Sequence, residues 1–171
     1  MATDQGSDRG AQRSALAPIL VERITHQDVP AICSLYKKVW ESDASGAPTE
    51  LVKTWQPTPL EFTSWMEGVT YFSARRDGRL LGVIGCELRH GSCRLLHLVV
   101  DPETRRQGIG SALVGATLEW ARHASAGSVW VDPLARFAAA LSLFKRLGFA
   151  PAGVLHRHEW NEDVQLFERI L

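Results

Sequence analysis

Cysteine is scarce in this chain, and the few present are badly spaced for the roles cysteines usually play. Cys33, Cys86 and Cys93 are three in 171 residues, an odd number with no CxxC spacing. That argues against a disulfide framework and against zinc. An excess of one charge is also missing. Lys plus Arg and Asp plus Glu each total 19, so there is no overall basic field to draw in nucleic acid. No apolar run approaches the roughly 20 residues needed to span a bilayer, so no membrane association is expected. The first residues hold Asp4, Asp8, Arg9 and Arg13 with no apolar core segment, unlike a secretory signal. Residues 1–18 read as a disordered tail, and a reducing cytoplasm is the simplest setting.

What is present is ordinary for a globular protein: 45% apolar and 22% charged residues, enough chain for one domain over residues 19–171. Six tryptophans are a high count, and some are expected to line a pocket or interface. Leu20–Ile24 reads as a strand. Thr25, with Asp28 three residues on, starts a helix whose apolar face carries Val29, Ile32, Cys33 and Tyr36. A long loop follows from Glu41 to Pro59, with room for one helical turn at 49–55, and Pro59 opens a short helix. Three strands then form an antiparallel meander through Asp77-Gly78 and His90-Gly91 turns and end at Val100. A helix from Ile109 closes at Gly127, a strand spans 128–132, a helix spans about 135–147, and a final hairpin turns at Asn161-Glu162-Asp163. The order is β-α-α-β-β-β-α-β-α-β-β, an α+β class.

The turn Arg105-Arg106-Gln107-Gly108-Ile109-Gly110 between a strand and a helix carries the clearest chemistry. Unpaired N–H groups and the macrodipole make a helix N-terminus an anion site. Glycines at 108 and 110 allow close backbone approach. Arg105 and Arg106 add charge, and Ser111 adds a hydroxyl. A diphosphate fits this turn. A phosphate loop of the GxxxxGK[ST] type does not, because no Lys-Ser or Lys-Thr pair follows the glycines. A dinucleotide fold does not fit either, because a meander precedes the turn. Taken alone, the turn also fits a plain helix start that happens to hold two glycines.

The wider segment Leu98-Val99-Val100-Asp101-Pro102 through Leu113 resembles the acetyl-CoA motif of the GNAT N-acetyltransferase superfamily. Leu143-Phe144-Lys145-Arg146-Leu147-Gly148-Phe149 resembles a second motif of that family, and the element order is similar from Leu20 to Leu171. The resemblance implies a GNAT-like fold, a mostly antiparallel central sheet with splayed middle strands flanked by helices. It implies acetyl-CoA as cosubstrate and an amine acceptor that attacks directly in a ternary complex; no metal is expected, because the His156-x-His158 pair has no third ligand at a supporting spacing. It implies that Leu98, Val99 and Val100 pair with the pantetheine arm, and that Gln107, Gly108, Ile109, Gly110 and Ser111 donate to the diphosphate. Many members dimerise, so a homodimer is an expectation.

In the resemblance, a tyrosine that protonates the leaving thiolate falls at Phe144, and an asparagine falls at Phe137. Neither phenylalanine can donate a hydrogen bond. A thiol of pKa near 8.5 can leave without an acid. The same two residues equally suit a non-catalytic acyl-CoA-binding module. Three residues are candidates for the base. Asp132 ends a strand at a spacing where some members carry a catalytic Glu, although Asp-Pro is also plain turn chemistry. His97 lies on the central strand and could accept a proton at pH 7; strand alternation sets it opposite Leu96 and Leu98, the arrangement of a core histidine, unless a bulge intervenes. Glu87 on the neighbouring strand is either an inward carboxylate or a sheet-face charge.

For the acceptor, His156, His158 and Trp160 alternate and would share one face. The stretch 41–68 holds Glu41, Asp43, Glu50, Glu61 and Glu67 against Lys53, together with Trp55 and Trp65. Acidic and aromatic walls suit a cationic amine, although surface charges are commonly just solvated.

Overall fold

In the computed structural model, residues 16–43 and 47–171 are described; most of the expected tail, residues 1–15, lies outside them, as does the 44–46 part of the loop. Seven strands form one sheet: β1 (Leu20–Arg23), β2 (Thr70–Arg76), β3 (Arg79–Arg89), β4 (Ser92–Val100), β5 (Ser128–Val131), β6 (Ala150–Glu159) and β7 (Glu162–Ile170). Their spatial order is β1-β2-β3-β4-β5-β7-β6. Every neighbouring pair is antiparallel except β4 with β5. Among the described residues five α-helices flank the sheet: α1 (Val29–Asp43), α2 (Thr49–Thr54), α3 (Pro59–Trp65), α4 (Ile109–His123) and α5 (Ala138–Arg146). No helix among the described residues is long and apolar enough to cross a membrane.

Local chemistry sets most element ends. Thr25 donates its N–H to Asp28 Oδ2 at 2.8 Å, and a 3₁₀ turn at His26–Asp28 leads into α1. Thr58 and Glu61 close a reciprocal capping box on α3, with Pro59 in its first turn. The β2–β3, β3–β4 and β6–β7 hairpins all turn on two residues of positive φ: Asp77-Gly78, His90-Gly91 and Trp160-Asn161. The last of these corrects the expected Asn161-Glu162-Asp163 turn, since Glu159 and Glu162 are already paired. The end of α4 also differs. Ser125 takes φ +59° and Ala126 N–H bonds to Ala121 C=O, so the serine does the reversing and not Gly127. The expected single turn in the long loop is the helix α2, pinned by a fully buried Leu51.

Two apolar layers cover the sheet. On one face α4 and α5 pack Ile109, Leu113, Leu118 and Phe144 against Ile84, Leu95 and Val131, with Cys86 and Cys93 buried among them. On the other face α1 and α3 pack Ile32, Tyr36 and Phe62 against Tyr71, Val83 and Val99. A third cluster joins Leu51, Leu134 and Val164 with Trp40, Trp55, Phe137 and Trp160.

Two features of β4 matter for function. It pairs with β5 only from Ser92 to Leu95, and β5 ends where Asp132-Pro133 follows, proline having no N–H to continue a ladder. From Leu96 to Val100 β4 therefore runs on without β5 beside it. In the same stretch the β3–β4 register slips: Gly85 faces Leu96 and Val83 faces Val99, so Ile84 opposes both His97 and Leu98. This is a β-bulge, with His97 at φ +58°.

Glycine lets α4 sit close over this region. A Cβ on Gly82 would stand 2.9 Å from the Val99 carbonyl and 2.9 Å from Leu113 Cδ1. Because the backbone contact cannot yield as a side-chain tip can, Gly82→Ala is expected to destabilise the protein by about 1–3 kcal/mol, read as a lower urea midpoint at unchanged slope. An unaltered midpoint would contradict this close approach.

Candidate active site

Where β4 and β5 part, a cleft of about 320 Å³ opens. Leu96 to Val99 form its floor, and Val131 to Leu134, Phe137 and Phe144 its far side. Tyr36, Trp40, Trp55, Glu159 and Trp160 complete the wall.

The bulge settles where His97 goes. Cys93 and Leu95 face the α4 layer, and strict alternation would send residue 97 there too. The extra residue reverses the parity: Leu98 joins the α4 layer and Val99 the α1 layer. His97 instead packs among aromatics, with ring centroids 4.5 Å from Trp65, 4.9 Å from Trp55 and 5.9 Å from Tyr71. Tyr36, fully buried, donates its hydroxyl to the His97 carbonyl at 2.6 Å. The Tyr71 hydroxyl meets His97 Nδ1 at 2.5 Å. Gly85 makes room for that tyrosine: a Cβ there would lie 2.8 Å from the Tyr71 ring. Burial first, and the nearby Arg94 charge second, hold the His97 pKa down to about 4. The ring is neutral at pH 7.

Asp132 stands at the cleft's edge, and its carboxylate is gripped by Arg94 through Nε at 3.3 Å and Nη2 at 2.5 Å. The Arg94 guanidinium also lies 5.1 Å from the Trp130 ring centroid. Glu87 is elsewhere, paired with Arg89 on its own strand and outside the cleft walls. Among the described residues no partner is paired with Glu159, the second carboxylate of the cleft.

The helix start at α4 has the form the sequence suggested. Gly108 is its N-cap at φ +84°, no side chain caps it, and the first intrahelical bond runs from Ala112 N–H to Gly108 C=O. The N–H groups before Ala112 therefore have no intrahelical acceptor. The two glycines serve different ends. Gly108 is required by its φ, with open space around it, whereas Gly110 is required by packing, since a Cβ would stand 3.0 Å from Leu143 of α5. Arg106 also takes a positive φ, and Gln107 accepts a 2.6 Å hydrogen bond from Arg76. This turn lies outside the cleft walls; Val100 and Leu143, the chain neighbours of the cleft residues Val99 and Phe144, both come within 4 Å of a Cβ on Gly110.

The structure thus brings Leu98, Val99, Phe137, Phe144, His97, Asp132 and Trp55 to one cleft. Trp65 backs it through His97. His156 and His158 are not brought there. The pairing of β6 with β7 is irregular there, with three residues of β6 set against Asp163 and Arg157 at φ +50°. Both histidines are exposed, and His156 pairs with Asp163 at 3.2 Å. Three of the acidic loop charges are spent locally: Glu41 on Lys37, Glu50 on Lys53 and Glu61 on the Thr58 cap. Sequence reasoning overlooked Trp40, Tyr36, Tyr71 and Glu159. A tryptophan and a tyrosine on the apolar face of α1, four residues apart, were the available signal for two of them.

The buried neutral His97 makes stability depend on pH. Between pH 6.5 and 4 the unfolded chain holds a proton on this ring and the folded chain does not, so stability rises with pH across that window and is lost on acidification through it. The loss attributable to His97 is on the order of 3 kcal/mol. His97→Asn, which tolerates the positive φ, is expected to flatten the urea midpoint between pH 6.5 and 4.5. An equal slope in wild type and variant would contradict the buried neutral ring.

The model of the Acetyltransferase (GNAT) family matches residues 30–149. Human N-acetyltransferase 8B is 32% identical over 105 residues, which are 58% of this chain and 46% of that protein. The ribosomal protein bS18-alanine N-acetyltransferase of Escherichia coli K12 is 26% identical over 83 residues, 48% of this chain and 56% of that protein. The chain thus spans about half the length of the curated relatives it matches. Among solved structures, PaiA N-acetyltransferase from Thermoplasma acidophilum in complex with coenzyme A superposes with a TM-score of 0.76 at 15% identity, over 90% of this chain and 99% of that one. The Escherichia coli ribosomal-protein-S18-alanine N-acetyltransferase superposes with a TM-score of 0.73 at 20% identity, over 90% and 94%. At such identities the likeness shows the mixed-sheet fold.

Proposed function

The chain belongs to the acetyltransferase (GNAT) family, and from that premise we propose that it transfers an acetyl group from acetyl-CoA to a primary amine by direct attack in a ternary complex. The observation that carries this reading is the parting of β4 from β5 at Leu95 and Val131, beside a helix start with unpaired N–H groups. Such a gap gives a pantetheine arm a free strand edge at Leu96–Val100, and the α4 start gives the diphosphate its donors. Arg105, Arg106 and the N–H groups of Gln107 to Ser111 hold the diphosphate in this reading, and the arm passes Gly110 into the cleft.

The amine nitrogen bonds to the thioester carbon, the C–S bond breaks, and the sulfur leaves as thiolate. A backbone N–H at Leu98 or Val99 stabilises the oxyanion. Phe144, buried against Phe149, offers no proton to the sulfur, so the thiolate departs unprotonated. The ammonium proton passes by way of His97 to solvent: with Tyr71 accepting from Nδ1–H, Nε2 keeps its lone pair, and a ring whose pKa is held to about 4 relays the proton without keeping it. Asp132, its charge met by Arg94, orients that end of the cleft, and Glu87 takes no part. Three unpaired cysteines suit a reducing cytoplasm. A homodimer through the edge strand β6 would cover its exposed Val154 and Leu155.

CoA release with a panel of amines tests the reading. Turnover above hydrolysis is expected with at least one amine. Gly108→Val, which forces a branched side chain into φ +84°, is expected to weaken acetyl-CoA binding at least about 10-fold in calorimetry. His97→Asn is expected to lower kcat/KM by about 100-fold or more, and Asp132→Asn by less. Tight acetyl-CoA binding with no amine-dependent release would instead favour the acyl-CoA-binding module that Phe137 and Phe144 suggest.

A further inference from the structure

Resting on the acetyl-transfer reading, we propose that the acceptor is a monoamine carried on a flat aromatic body, an aralkylamine. The acceptor side of the cleft is a continuous aromatic wall. Trp55 stands at its centre, 6.4 Å from Trp40 with planes 17° apart and 6.4 Å from Trp160 at 59°. Phe137 meets Trp40 edge-on at 5.8 Å. The wall is fixed before any ligand arrives. Trp55 caps α2 through its N–H to Leu51 C=O, and Leu51 is sealed against Leu134 and Val164. A preformed wall binds a rigid ring at little ordering cost.

The charges of the same cleft count the acceptor's charges. Asp132 is matched by Arg94, and His97 is neutral. Glu159 is left, adjoining Trp160, with no partner among the described residues. One unmatched carboxylate suits one ammonium. A polyamine would bring a second ammonium, and among the described residues the cleft holds no second unmatched carboxylate to meet it. A peptide would bring amide N–H as well as C=O groups, and the indole N–H of a tryptophan wall can serve the carbonyls but offers nothing to accept from the N–H groups. An aralkylamine sets its ammonium by Glu159 and its ring edge-on or offset against Trp55 and Trp160, the geometries such rings prefer.

The test compares kcat/KM at saturating acetyl-CoA for 2-phenylethylamine, butylamine, spermidine and an alanine-initiated tripeptide. The expected result is a preference for 2-phenylethylamine of about 10-fold or more over each of the others. Trp160→Asn, which keeps the positive φ that the hairpin needs, is expected to bring the ratio of 2-phenylethylamine to butylamine down toward one. Glu159→Gln is expected to raise KM for 2-phenylethylamine about 10-fold. Turnover of spermidine, the tripeptide or butylamine equal to or above that of 2-phenylethylamine overturns the aralkylamine assignment and leaves acetyl transfer standing. An undiminished aromatic preference in Trp160→Asn also overturns the assignment. Release unaffected by every amine overturns the transfer reading itself, and this proposal with it.

Discussion

One extra residue in β4 governs the chemistry of this fold. Ile84 on β3 faces two residues, His97 and Leu98, and the resulting bulge reverses which side of the sheet every later residue of β4 faces. Without it His97 would lie under α4. With it, the imidazole lies among Trp55, Trp65 and Tyr71. A bulge weakens local pairing and bends the strand, so it needs support. Tyr36 supplies some by bonding the His97 carbonyl, and Tyr71 by meeting its ring. Gly85 gives Tyr71 its room. The bulge falls just past the last β4–β5 pair, so the bent stretch of β4 is also the stretch with no β5 beside it.

The remaining architecture holds the two halves of the site at a fixed distance. Asp101 follows β4 directly and is buried. Burial would raise its carboxyl, but hydrogen bonds from Lys38, the Glu103 N–H and Arg79 outweigh that and hold the group below its usual range. This clamp ties α1, the start of β3 and the 3₁₀ turn at Pro102–Thr104 together just before the arginines of the turn. Gly82 lets α4 lie close on the sheet, and Gly110 lets α5 lie close on α4. A ligand lying from the Gly108 end of α4 to His97 would therefore follow a path with little freedom to change length.

The sequence was most legible where the chemistry is local. Turn glycines, caps and the positive-φ pairs Asp77-Gly78 and His90-Gly91 carry their conformations in their own residue types. So does the α4 start, where Gly108 and Gly110 sit between a strand and an amphipathic helix. Legibility failed where the answer depends on a distant partner. The bulge at His97 depends on β3 pairing, and the irregularity at Arg157 on β7. The acidic loop read as a cationic-amine wall, but Glu50 and Glu61 satisfy neighbours three residues away. The aromatic wall draws its rings from α1, the end of α2, the start of α5 and the β6–β7 turn, a convergence no local pattern announces.

Hydrogen exchange read by mass spectrometry, with and without acetyl-CoA, tests most directly whether the part of β4 that β5 leaves open and the α4 start form one ligand site. The account predicts new protection in peptides covering Leu96–Val100 and Gly108–Ser111, with little change over Ser92–Leu95, which already pairs with β5. Protection confined to other strands, or none at the two predicted segments while acetyl-CoA is bound, would contradict it.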